Sequence, residues 1–155
     1  MIRRPTAAVV AVSALTAATS FFTLLSWDGL GDDATTYLVP LFWVCVGVGA
    51  IGLALRSLGT PRLLVPLVQL LVVGVVLLHV WAPEAPAAGW IPTPGALQAA
   101  ADVLSRAVAE SARYPAPVPG LASHFPALLL GSGSLLVVAV DFLACTLRRP
   151  PLAGL

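Results

Sequence analysis

The residue with the clearest chemical potential is Asp141, an acidic residue inside the last apolar stretch of the chain. A carboxylate at a helix centre in a bilayer costs roughly 2.5–3.5 kcal/mol on insertion scales, so it should face other helices or water rather than lipid. Arg148 follows about two helical turns later on the same face, and its long side chain can reach back. Arg56 and Arg62 lie at the same predicted membrane level.

Two kinds of site fit these four residues. One is a proton or ion site, and the other is a structural ion pair that orients the fourth apolar helix. A proton relay through a membrane generally uses a chain of ionisable groups. Asp141 is the only carboxylate within the apolar stretches, so the structural ion pair is the favoured interpretation.

The remaining candidates for chemistry are two histidines and two cysteines. His79 lies near the outer end of the third span and His124 just before the fourth, but two histidines without a third ligand make a poor zinc site, so we interpret both as interfacial residues. Cys45 and Cys145 lie in apolar stretches without metal-ligand spacing, which is typical of small buried side chains. The sequence contains no phosphate-binding loop, dinucleotide fingerprint, serine nucleophile motif or HExxH motif. We therefore predict no catalytic residue, no cofactor and no metal.

The composition indicates which elements must position these residues. Of 155 residues, 59% are hydrophobic and only 10% are charged, whereas soluble domains are about 25% charged. A soluble fold of this composition would expose a large apolar surface. The predicted partner is therefore the lipid bilayer, with other membrane or cell-wall-associated proteins as further candidates. Without a basic tract, the sequence gives no indication of nucleic-acid binding.

Four apolar stretches have the length of membrane spans, at about residues 7–26, 37–55, 63–81 and 126–147. About 20 residues at 1.5 Å each cross a hydrocarbon core of about 30 Å. Backbone amides in lipid must be satisfied within their own segment, so we predict four transmembrane helices in a single all-α, polytopic membrane domain. The first stretch also has features of a signal peptide, but its length and the three spans after it favour an uncleaved anchor.

The distribution of charge predicts the orientation. Six of the eight arginines would lie on one side of the membrane, namely Arg3, Arg4, Arg56, Arg62, Arg148 and Arg149. Six of the seven acidic residues would lie on the other side. Because arginine-rich loops stay in the cytoplasm, we predict a multi-pass protein of the plasma membrane with cytoplasmic N- and C-termini. Aromatic residues are predicted at the outer ends of the spans, where their rings favour the headgroup layer: Trp27, Tyr37, Trp81, Trp90 and Phe125.

The long outer loop, residues 82–125, contains a predicted amphipathic helix over about 94–113. Thr93 is a suitable N-cap before Pro94, and Pro115 disfavours a helical residue before it. One face carries an apolar stripe, defined here as Leu97, Ala101, Leu104 and Val108. We expect this extracytoplasmic helix to lie on the outer membrane face or to pack on a neighbouring domain.

Glycines within the spans predict close helix packing, because small residues let two backbones approach each other. The candidates are Gly47, Gly49 and Gly52 in the second span and Gly131 and Gly133 in the fourth. They indicate packing rather than a cofactor site.

Essentially the whole chain resembles a known family, and the closing motif is the most specific part of the resemblance. The segment GWIPTPGALQAAADVLSRAVAESARYPAPVP is followed by LLLGSGSLLVVAVDFLACTLRRPPLAGL. These segments resemble the N-terminal membrane region of actinobacterial TgpA-type transglutaminase-like proteins. The resemblance lies in four features, which are a PTP helix start, an RY pair before a Pro/Ala stretch, an apolar span with an aspartate and a closing RRP.LAGL motif. Here these features fall on 92–94, 113–114, Asp141 and 148–155.

The resemblance implies further spans and an extracytoplasmic transglutaminase-like domain with a Cys-His-Asp triad beyond Leu155. Cys45 and Cys145 do not correspond to the family's catalytic cysteine, so we expect this chain to be the non-catalytic anchor or scaffold region, as a truncated member or fragment. Two other hypotheses remain open. One is a small self-standing membrane protein that binds a partner subunit through its glycine faces, and the other is a transporter that uses Asp141.

Overall fold

The structure is a computed structural model that describes residues 7–31, 33–81, 93–114, 118 and 124–146. Within these ranges the chain is helical apart from turns and one isolated backbone bridge between Gly31 and Val118. The helices are α1 (Ala7–Leu24, continued by a 3-10 turn at Leu25–Trp27), α2 (Thr35–Ser57), α3 (Leu64–Trp81), α4 (Pro94–Arg113) and α5 (Phe125–Asp141, continued by a π turn at Phe142–Thr146). The predicted all-α fold is confirmed.

Four of these helices, α1, α2, α3 and α5, are long and apolar enough to cross a membrane, with mean hydropathies of 1.5 to 2.4. Each also presents large apolar side chains to the outside, for example Phe22, Trp43, Leu71 and Leu135, which are 60–70% exposed. The chain is thus a multi-pass membrane protein whose outer surface is solvated by lipid.

The second span is longer than predicted, because its first and last residues are polar. Asp33 Oδ1 accepts hydrogen bonds from the backbone N of Thr35 at 3.0 Å and from the hydroxyl of Thr35 at 2.6 Å. α2 therefore begins at Thr35, two residues before the apolar stretch, and it ends at Ser57, two residues after it. Apolarity alone does not report such polar starts.

The centre of the bundle is the pair α2 and α5, which run parallel to each other. Gly133 of α5 lies against Leu41 near the start of α2, and Asp141 at the end of α5 lies against Gly52 near the end of α2. α1 and α3 each pack on both members of this pair. Nine of the 17 residues of α5 are buried, against five of the 23 in α2, so α5 is the more enclosed of the two.

The bundle has two ends, which are named here by their residues. At the Arg56 end, α2 and α5 finish and α3 begins. At the α4 end, the Tyr37 hydroxyl donates to the carbonyl of Trp27 at 2.8 Å, which ties α2 to the turn after α1. Val118 N donates to the carbonyl of Leu30 at 2.8 Å, so the segment after α4 meets the connection between α1 and α2 at this same end.

Helix α4 has the bounds that the sequence predicts, Pro94–Arg113. The Thr93 hydroxyl accepts a hydrogen bond from Ala96 N at 3.2 Å, and the helix stops at Tyr114, whose φ and ψ are extended. α4 packs on α5 and α3, and its buried residues are Ala96, Ala100 and Ala107 rather than the apolar stripe. Alanine lets the helix approach the bundle closely, whereas Leu97 and Val108 are exposed and Leu104 is half-buried.

Candidate functional site: an intramembrane polar cluster

Asp141 lies at the centre of a polar cluster that joins three spans. It is the last residue of α5 and is 3% exposed. Its Oδ2 forms an ion pair with Arg56 Nη2, in the last turn of α2. The same Oδ2 accepts a hydrogen bond of 2.8 Å from Gln69 Nε2 of α3. Gln69 Nε2 also contacts the carbonyl of Val48 in α2 at 3.0 Å, so α2, α3 and α5 are all linked through one amide and one carboxylate.

Gly52 makes room for this cluster. A Cβ atom at position 52 would lie 2.7 Å from Arg56 Nη1, 2.7 Å from Gln69 Nε2 and 3.1 Å from Asp141 Oδ2. Atoms cannot approach that closely without movement, and the two nearest atoms belong to the groups that bind the carboxylate. Position 52 must therefore lack a side chain for the cluster to form as it does.

The environment of Asp141 is closed. Its Oδ1 and the Oε1 of Gln69 are buried and have no hydrogen-bond partner among the described residues. Asp141 also borders a crevice with Thr16, Ser20 and Cys45, but this crevice is too narrow to admit a water molecule. A carboxylate paired with a guanidinium in such surroundings neutralises charge and holds helices together.

The structure brings together two of the four predicted ion-pair candidates, Asp141 and Arg56. Arg62 is exposed in the turn between α2 and α3 and forms no ion pair with the described residues. Arg148 lies outside the described residues, as do Arg3, Arg4, Arg149 and Trp90. Sequence reasoning missed Gln69, which is completely buried. The available signal was its position as a lone amide within the uncharged stretch 63–81, because a buried amide in lipid requires partners.

Four of the five predicted packing glycines lie at close contacts. A Cβ at Gly49 would lie 3.3 Å from the Ala17 side chain of α1. At Gly131 it would lie 3.1 Å from the Trp81 ring, and at Gly133 it would lie 2.7 Å from Leu41. Gly52 belongs to the cluster described above. Gly47 is different, because no atom lies within 4 Å of a Cβ placed there, so a side chain at this position would meet open space.

A second polar contact lies at the α4 end. The Glu110 carboxylate accepts a hydrogen bond from His124 N at 3.0 Å and contacts His124 Nδ1 at 2.9 Å. Burial raises the pKa of Glu110, but the hydrogen bonds from His124 and its charge outweigh that effect and lower the pKa overall. His79, the other predicted interfacial histidine, contacts the carbonyl of Val75 in its own helix at 2.9 Å.

The described residues contain no group of three histidine, cysteine or acidic side chains that could hold a metal. Cys45 is buried and Cys145 is partly buried, and both are free thiols. Cys145 Sγ lies 3.6 Å from the Thr16 hydroxyl, so it contributes to the contact between α1 and the end of α5. No family model, no curated protein and no solved structure matches this chain.

Proposed function

We propose that this chain is a non-catalytic membrane domain that anchors and orients a protein domain at the α4 end of the bundle. The observation that carries the proposal is the polar cluster of Arg56, Gln69 and Asp141. Its ionisable groups are engaged in linking three helices, and the crevice beside them does not admit water. A transport or catalytic site needs a cavity and polar groups that can reach a ligand.

The orientation is part of the proposal. The arginines predicted to be cytoplasmic include Arg56 and Arg62 at the Arg56 end, whereas Asp28, Asp33, Asp102 and Glu110 lie at or near the α4 end. The positive-inside rule then assigns the Arg56 end to the cytoplasm and α4 to the extracytoplasmic side of the plasma membrane. A phosphatase reporter, active only outside the cytoplasm, should be active when inserted beside Arg106 and inactive when inserted beside Arg62. The reverse pattern would overturn the orientation.

The narrower proposal is that the chain is the N-terminal membrane region of a TgpA-type transglutaminase-like protein. The support is the order of the motifs from Pro92 to Leu155. An antibody raised against the α4 peptide should detect, in the native membrane, a product well above the 15.9 kDa of this chain. The coding DNA beyond Leu155 should continue in frame into a domain with a cysteine, histidine and aspartate triad. A native product of 15.9 kDa would refute the narrower proposal.

The second candidate function is a partner subunit, and one observation favours it. Gly47 has open space above it, and Ala50 and Ala54 on the neighbouring turns of α2 are exposed. A second helix can approach such a surface closely. Gly47→Leu should then abolish co-purification of a native partner, while Gly74→Leu, a matched change on α3 with equally open space, should not. Equal behaviour of both variants would eliminate this candidate.

A further inference from the structure

Helix α4 has three longitudinal surfaces rather than two. Ala96, Ala100 and Ala107 face the bundle and are buried. The apolar stripe (Leu97, Ala101, Leu104 and Val108) lies next to them, and Leu97 and Val108 are each 54% exposed. The third surface carries exposed polar and charged side chains: Gln98, Asp102, Ser105, Arg106 and Arg113. The bundle therefore covers only half of the apolar sector of α4.

The level of α4 relative to the membrane is set by its contact with α5. Glu110 binds both the backbone N and the side chain of His124, which immediately precedes the first residue of the α5 span. Since the rise of a helix is about 1.5 Å per residue, Val108 lies about 3 Å along the axis from Glu110. The exposed Val108 is thus held near the level at which the α5 span begins. α4 also packs on α3, a second span, so the helix stays beside the bundle.

We propose that the apolar stripe of α4 is a lipid-binding surface, which inserts at the boundary between headgroups and acyl chains of the leaflet at the α4 end. The stripe lies beside the alanine face that α4 buries against the bundle, and the spans of the same bundle also expose large apolar side chains such as Leu71 and Leu135. An interfacial helix places its apolar face about 5–10 Å into this boundary and keeps its polar face in water. The third surface of α4 is aligned to remain in water.

The charges of α4 indicate that lipid binding does not depend on the charge of the headgroup. Asp102 and Glu110 balance Arg106 and Arg113, so the helix has no net side-chain charge. Attraction to anionic headgroups, which strengthens the binding of basic interfacial helices, is therefore absent. The stripe binds the acyl boundary of any fluid bilayer, and the depth of insertion does not depend on anionic lipid or on salt.

The test places nitroxide labels on α4 of the whole chain, reconstituted in phosphatidylcholine vesicles. Cys45 and Cys145 are replaced by alanine, and single cysteines are introduced by Leu97→Cys, Leu104→Cys and Val108→Cys. Matched controls on the third surface are Gln98→Cys and Ser105→Cys. Labels in the stripe should collide preferentially with oxygen and the controls with a water-soluble nickel chelate. Adding phosphatidylglycerol should leave the ratio of the two collision rates unchanged.

Two results would overturn the proposal. Stripe labels as accessible to the nickel chelate as the controls would place the stripe in water. Spin–spin broadening that disappears on dilution with unlabelled protein would show that a second copy covers the stripe. A second measurement needs no cysteine replacement, because a benzophenone amino acid at position 97 should form lipid adducts by mass spectrometry, whereas at position 98 it should not. Adducts to protein at position 97 would also overturn the proposal.

Discussion

Breaking the ion pair from its two sides should have unequal consequences. Replacing Arg56 by methionine leaves Asp141 buried at 3% exposure and keeps its hydrogen bond from Gln69. Removing one partner of a buried ion pair typically costs about 3–5 kcal/mol, whereas single polar contacts between membrane helices average about 0.6 kcal/mol. Because Gln69 retains its hydrogen bond, we expect Arg56→Met to lower the free energy of unfolding by about 2–4 kcal/mol.

The reverse change should cost less. Asp141→Leu leaves an arginine in the last turn of α2, 14% exposed at its side chain, and a long cationic side chain near a span end can extend towards the headgroups. We expect a loss of about 1–2 kcal/mol. The double variant has no buried charge, so its stability should lie within about 1 kcal/mol of the original chain. The coupling energy between the two positions should thus be about 2 kcal/mol or more.

The assay is a double-mutant cycle by reversible unfolding in mixed micelles, with helicity as the signal. Arg62→Met is the matched control, since Arg62 is exposed and forms no ion pair with the described residues; it should change stability by less than about 0.5 kcal/mol. If the effects of the two single changes simply add in the double variant, the cluster is not a coupled unit. A larger loss of stability for Asp141→Leu than for Arg56→Met would refute the expectation that the unpaired arginine extends to the headgroups while the unpaired aspartate stays buried.

Three further changes test other parts of the chain. Gly52→Ala should lower the free energy of unfolding by about 1–3 kcal/mol, because the new Cβ would lie 2.7 Å from two atoms of the cluster. Gly74→Ala is the control, since a Cβ at position 74 meets open space, and it should be neutral or stabilising in the same unfolding assay. The lowered pKa of Glu110 means that its contact with His124 stabilises the fold above the ordinary pKa of 4.5 and is lost as the pH falls through the lowered value. The protection of α4 amides against hydrogen exchange, relative to the intrinsic exchange rate at each pH, should therefore fall in acid. Glu110→Gln should show less protection at neutral pH and should lack this acid dependence. Thr93→Ala should remove the hydrogen bond that caps Ala96 N and lower the stability of the first turn of α4 by about 1 kcal/mol. The loss should appear as faster hydrogen exchange confined to that turn. Ser105→Ala, in the middle of the same helix, is the control.

Several features were predictable because one local rule decides them. Apolar length located the spans, and the threonine and two prolines around α4 located both of its ends. The partner of Asp141 was predictable only as a short set of arginines, since three lie at one membrane level and the choice depends on which helices are neighbours. α5 packs parallel to α2, so the end of α5 meets the end of α2, and Arg56 rather than the exposed Arg62 lies within reach.

Features that depend on the relative rotation of helices were not predictable. Gln69 reads as one polar residue in an apolar helix until α3 is known to face Asp141. The apolar stripe of α4 is its most hydrophobic face, yet the bundle contacts the adjacent alanines. In water the larger side chains would be buried first, but lipid solvates leucine and valine well, so close backbone approach decides the contact instead. Gly47 follows the same logic, since a glycine shows that a close approach is possible without showing where the other helix is.

The two polar contacts of α5 have a common consequence for the fold. Lipid can replace the apolar contacts of α5 with similar ones, so its axial position depends on the close contacts of Gly131 and Gly133 and on its polar contacts. The Asp141 cluster fixes the Arg56 end of α5 against α2 and α3, and Glu110 fixes its α4 end through His124. Shifting α5 by one turn, about 5.4 Å, would break both contacts at once. Polar contacts are thus concentrated at the two ends of the most enclosed span, where they define its axial position and couple the membrane-buried cluster to the placement of α4.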